Sequence, residues 1–90
     1  MATSVINTPE APEPIGPYSQ AVRAGDLLFI SGQIPADPAT GRIVTGDIST
    51  ETHQVMRNLK AILRAAGLDF PQVVKSTIFV TDLANFGIVN

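Results

Sequence analysis

A hydroxyl beside a glycine at the end of an apolar run is the feature of this chain best suited to hold a small polar ligand, in Phe29-Ile30-Ser31-Gly32-Gln33-Ile34-Pro35. Ser31 can donate to a bound carboxylate or position a water. Gly32 adds backbone that a ligand can approach closely, because no Cβ stands in the way. The plainer alternative is that Ser-Gly only ends a strand. Tyr18, the sole tyrosine, stands between Pro17 and Ser19. Its phenol can donate to a substrate oxygen while the ring walls a pocket, or it can serve as an amphipathic anchor between arm and sheet. The remaining polar candidates suit structure better than chemistry. His53 falls one turn into a helical stretch, where a single histidine is a solvated residue, and Arg57, Lys60 and Arg64 repeat at helical spacing as an exposed face rather than a phosphate site. Asp47 and Glu51 suit a helix start better than a pair of catalytic acids.

These groups need elements to position them. Residues 7–17 carry four prolines and two glutamates, which excludes a helix or a central strand and predicts an extended surface arm that delivers Tyr18 to the fold. Residues 19–23 and 27–33 flank Ala24-Gly25-Asp26, which predicts a β-hairpin. Asp37-Pro38-Ala39-Thr40-Gly41 is turn chemistry leading to a short strand at 42–45. Val55, Met56, Leu59, Ile62, Leu63 and Ala66 recur at three- and four-residue spacing and predict a helix over 49–66, begun by Asp47 or Ser49 and ended by Gly67. Residues 73–81 are β-branched and aromatic, and predict a strand. Asp82 suits an N-cap, with Leu83, Phe86 and Val89 opening a second helical stripe that stops at Asn90. The order β-β-β-α-β-α, with its last element incomplete, predicts one α+β domain over residues 1–90, a mixed sheet covered on one face by helices.

Bulk properties narrow the function. Ninety residues allow one domain, and such a chain buries only about 60 to 65% of the surface its unfolded form exposes. A hydrophobic content of 44% is high for so small a monomer and suggests apolar surface covered by another chain. A net charge of −2 offers nothing to neutralise a phosphate backbone, so nucleic acid is a poor partner. With no cysteine and one histidine there are no disulfides and no sulfur metal site. Residues 1–7 hold no signal-like stretch and no run approaches a membrane span, so the expectation is a cytoplasmic protein without membrane contact.

With Ile15-Gly16-Pro17-Tyr18-Ser19-Gln20 upstream and Val73-Val74-Lys75-Ser76-Thr77-Ile78-Phe79-Val80-Thr81-Asp82-Leu83 downstream, the stretch around Ser31 resembles the RidA/YjgF family of reactive enamine/imine deaminases, in one unbroken order to Asn90. The resemblance implies a chorismate-mutase-like fold and a homotrimer with pockets at subunit boundaries. It also implies hydrolysis of 2-iminobutanoate and 2-iminopropanoate to 2-oxo acids and ammonia, without metal or cofactor. Such chemistry asks for a cation on the substrate carboxylate, a protonated imine nitrogen and an oriented water. By the same resemblance Tyr18 and Ser31 are the catalytic candidates and Gly32 and Asn90 line the substrate. Asn90 matches the family's asparagine at the end of Phe86-Gly87-Ile88-Val89-Asn90. The family's carboxylate-binding arginine and water-orienting glutamate fall beyond Asn90, and neither Arg23 nor Arg42 substitutes for them. Members of the family continue past this point, so the expectation is a chain shorter than the family pattern. A second class is a small-carboxylate binder of the same fold without turnover. A third, the ribonuclease or translation-inhibitor activity attributed to some relatives, is disfavoured by the acidic balance and the lack of a basic aromatic stripe.

Overall fold

The computed structural model describes residues 3–14, 19–76, 78 and 87. Three antiparallel strands, β1 (Thr3–Ile6), β2 (Ala21–Ala24) and β3 (Leu27–Ile30), form a sheet in the order β1-β2-β3, followed by helix α1 (Ile48–Ala65) and a 3₁₀ turn (Phe70–Gln72). The predicted hairpin is β2–β3. Gly25 at φ 60° is the first central residue of its two-residue loop, and Asp26 keeps a negative φ, the pattern of a II′ turn whose twist matches the flanking strands.

β1 lies in a segment for which the sequence predicts no strand. Its four residues are too few to show a period, and it exists because β2 offers a free edge, with Val5 opposite Val22 and Ile6 opposite Ala21. The arm that follows is not purely superficial. Ala11 is 1% exposed and joins Ala21 and Ile62 in the core, with Ile6, Leu28, Ile30 and Ala61 packed around them. Pairing period thus sends Ile6, Ala21, Leu28 and Ile30 toward α1. The opposite face carries Val5, Val22, Leu27 and Phe29, and Val5, Leu27 and Phe29 are each more than half exposed.

Helix α1 confirms the stripe with two amendments. Asp47, not Ser49, is the N-cap, its Oδ1 accepting from the Thr50 N–H at 2.8 Å. The C-terminus closes in a Schellman arrangement: the Gly67 N–H donates to the Arg64 carbonyl (3.0 Å) and the Leu68 N–H to the Leu63 carbonyl (2.8 Å), with Gly67 at φ 79°. Ile62 and Leu63 are buried, yet Met56 is 41% exposed, and the buried stripe passes instead through Gln54 and Asn58.

Two predicted strands take other forms. At 42–45 only an isolated bridge, Ala36 to Ile43, is made, because Gly41 (φ 73°) and the bonds from the Asp37 N–H to the Arg42 carbonyl and the Gly41 N–H to the Asp37 carbonyl draw the loop tight before a ladder can extend. The described residues of 73–81 are not in a strand: residues 73–76 and 78 are exposed, Val74 at 92%, and none is paired in a ladder among the described residues. β-propensity reflects the fit of a side chain to a pleated, half-buried surface, and no described residue offers these positions such a neighbour. The second helix predicted from Leu83 lies outside the described residues apart from Gly87. No helix among the described residues is long and apolar enough to cross a membrane.

Candidate functional site

Ser31 follows β3 directly and continues its pairing by one step, its N–H donating to the Gln20 carbonyl at 2.9 Å. Its hydroxyl is also committed: Oγ donates to the Ser19 carbonyl at 2.5 Å. With the proton turned inward, the lone pairs of Oγ remain to accept from a water or a cationic N–H group. Gly32 is exposed, and a Cβ added there would meet nothing within 4 Å, so the backbone stands open as the sequence suggests. Both residues line a cleft of about 340 Å³ whose other walls include Pro12, Pro14, Ile34 and Ile43. Glu13, Gln20, Gln33 and Thr40 add polar groups to these apolar walls, a mixture that suits a small polar ligand with a short aliphatic part.

Tyr18 and Asn90 lie outside the described residues. The structure therefore brings together Ser31 and Gly32 of the four candidates. Residues set aside on the sequence stay apart from the cleft. His53 is an exposed helical residue, the Arg57 guanidinium donates to Gln54 Oε1 (3.0 Å), and Arg64 faces Asp69 at 3.9 Å. Arg23 donates to the Ala66 carbonyl at the end of α1. Among the described residues no arginine lines the cleft. The Asp47 carboxyl is held below its ordinary value, first by the Thr50 backbone N–H, then by the Thr50 hydroxyl. That effect belongs to the helix start, not to acid–base chemistry.

Two buried amides that the sequence did not single out build the walls. Asn58 is fully buried, and its Nδ2 donates to the carbonyls of Ile34 (3.2 Å) and Ala36 (2.9 Å), while Gln54 Nε2 donates to Asn58 Oδ1 (2.9 Å). The segment between Gly32 and the Ala36–Ile43 bridge thus hangs from the helix. Gln20, 3% exposed, does the same for the arm: its Oε1 accepts from the Thr8 N–H (2.7 Å), and its Nε2 faces the carbonyls of Thr8, Ala11 and Pro12 at 2.9–3.1 Å. One signal for Asn58 was available. It falls four residues before Ile62 and three after Val55, a polar residue on an apolar stripe, and such a residue must find buried partners. For Gln20 the signal was weaker, since the partners sit in a proline-rich stretch whose path no periodicity reveals.

Comparison with known proteins places the whole arrangement. Residues 8–90 match the family described as Endoribonuclease L-PSP. The chain is 56% identical, over 96% of its length and 68% of the relative's, to a RutC family protein of Pyrococcus horikoshii. It is 49% identical to the mouse protein named 2-iminobutanoate/2-iminopropanoate deaminase, over 96% of this chain and 64% of that one. Among solved structures, the Rid-family protein YyfA of Yersinia pestis superposes with a TM-score of 0.94 at 48% identity, covering 98% of this chain and 70% of that one. TdcF of Escherichia coli, solved with bound serine, gives a TM-score of 0.90 at 43% identity over 96% of this chain and 67% of that one.

Proposed function

We propose, for a chain that belongs to the Endoribonuclease L-PSP family, also called RidA/YjgF, hydrolytic deamination of short 2-imino acids, above all 2-iminobutanoate and 2-iminopropanoate. The observation that carries this reading is the 49% identity to a relative bearing that activity as its name. In the reaction a water oxygen adds to the iminium carbon and loses a proton. The amino nitrogen of the resulting carbinolamine takes up that proton, and the C–N bond breaks with its electron pair going to nitrogen. The hydroxyl oxygen forms the carbonyl as it gives up its own proton, so that a 2-oxo acid remains and the released ammonia carries that proton away as ammonium. Ser31 Oγ, its own proton engaged by Ser19, is placed to accept from the attacking water or from the iminium N–H. The Gly32 backbone receives the substrate carboxylate, Tyr18 walls the pocket and donates through its phenol, and Asn90 contributes a substrate hydrogen bond.

On this reading the chain assembles as a homotrimer with pockets between subunits. What supports assembly is the sheet face of Val5, Leu27 and Phe29, each exposed by more than half, since an apolar strip of this kind is usually covered. A second reading, a binder of small carboxylates without turnover, is favoured by the lack of an arginine among the described residues lining the cleft. Ammonia release from iminopropionate or iminobutyrate generated in situ tests the first: rates above buffer support it, and rates equal to buffer overturn it. Binding of 2-oxobutanoate without ammonia release would leave the second standing.

A further inference from the structure

We infer that Gln20 is a positioning residue of the Ser31 cleft: its side-chain amide clamps the proline-rich arm as a cleft wall while its own backbone carbonyl holds Ser31. The inference rests on taking that cleft as the binding site. Its two ends are separately visible. At the side chain, Oε1 accepts from the Thr8 N–H at 2.7 Å and the two Nε2 protons are shared among the carbonyls of Thr8 (3.0 Å), Ala11 (3.1 Å) and Pro12 (2.9 Å). At the backbone, the Gln20 carbonyl accepts from the Ser31 N–H at 2.9 Å, and the carbonyl of neighbouring Ser19 accepts from Ser31 Oγ. Pro12 and Pro14 line the same cleft as Ser31 and Gly32. Among the described residues, the hydrogen bonds from residues 8–12 of the arm meet at the Gln20 side chain, and those of Ser31 meet at the backbone carbonyls of Gln20 and its neighbour Ser19.

The chemistry explains why a glutamine stands there. Prolines at 9, 12 and 14 carry no N–H, so the arm cannot join a ladder, and its inward carbonyls need donors from elsewhere. Three clustered carbonyls and one N–H call for a group with two donors at one end and an acceptor at the other. A primary amide supplies both, in the single orientation that the four partners allow. An ionised glutamate would set a second acceptor against three carbonyl oxygens, whereas a protonated one regains a donor.

That difference supplies the test. Gln20→Glu and Gln20→Met are compared with wild type at pH 8 and pH 5, following Thr8 amide protection by NMR hydrogen exchange and the Kd for 2-oxobutanoate from shifts of the Ser31 and Gly32 amides. In Gln20→Glu at pH 8, Thr8 protection falls at least tenfold and the Kd rises at least fivefold; at pH 5 both return to within about twofold of wild type. Gln20→Met, with native circular dichroism, is impaired at both pH values, and it decides the matter should Gln20→Glu fail to fold at pH 8. Unchanged Thr8 protection in both variants overturns the proposal, and so does lost protection with unchanged affinity. A wild-type chain that neither binds 2-oxobutanoate nor releases ammonia overturns the functional reading instead. In that event loss of Thr8 protection together with displaced Ser31 and Gly32 resonances supports the clamp, and absence of either overturns it.

Discussion

The two faces of the three-stranded sheet have the same alternation and nearly the same apolar content, but opposite fates. Ile6, Ala21, Leu28 and Ile30 meet Ile62 and Ala61 of α1 and make the core. Val5, Leu27 and Phe29, one residue out of phase, lie 57–60% exposed. Hydrophobicity alone does not decide which face the chain covers. The decision falls to α1, whose buried stripe has only enough apolar surface for one face, and to the arm, which folds Ala11 onto that same side. A sheet with one covered and one bare apolar face keeps a strip of the kind that further packing usually buries.

Mutations on the two faces should therefore be read out differently. Ile62→Ala removes the centre of the covered face and should cost about 2–5 kcal/mol in urea unfolding; a loss below about 1 kcal/mol would mean that the α1 side is no better packed than the bare one. Asn58→Leu leaves the carbonyls of Ile34 and Ala36 without their donor and should cost about 2 kcal/mol, with the Gly32 and Ile34 amides shifted in NMR spectra. Phe29→Glu on the bare face should change unfolding by no more than about 0.5 kcal/mol at low protein concentration. The same variant should move the sedimentation profile to lighter species, and a profile identical to wild type would remove the bare face from any interface. The smallest effect is at Asp47, exposed and away from both faces. Its folded pKa is lowered, so its stabilising contribution is present above the unfolded carboxylate value and is lost as pH falls through the folded one. Urea midpoints of Asp47→Asn should accordingly fall less steeply than those of wild type between about pH 5 and pH 3.

What was legible in the sequence follows from the range of each signal. The β2–β3 hairpin and α1 are written locally, in Gly25 and in the recurrence of Leu59, Ile62 and Leu63, and both form as expected. β1 was not legible, because four residues carry no measurable period and their structure depends on the distant edge of β2. The predicted strand over 73–81 failed in its described part for a related reason: β-branched composition marks a residue able to pair, and pairing needs a second strand. At the candidate cleft, Ser31 and Gly32 could be picked out from their types, since a hydroxyl and a missing Cβ are chemistry in themselves, and both line it. Gln20 and Asn58 were not, because an amide becomes a brace only when carbonyls from residues 8–12 or 34–36 are folded around it.

The loop that the Ala36–Ile43 bridge pinches off is closed by its own backbone, through the bonds between Asp37 and Arg42 and between Asp37 and Gly41, with the Val44 N–H returning to the Pro35 carbonyl. It shares no ladder with β1, β2 or β3, and Asn58 tethers it at its base. Insertions or exchanges among Pro38, Ala39 and Thr40 would reshape one wall of the cleft while Ser31 stayed bonded to Ser19 and Gln20. The loop can therefore change in sequence and length without disturbing the sheet or the helix that build the rest of the fold.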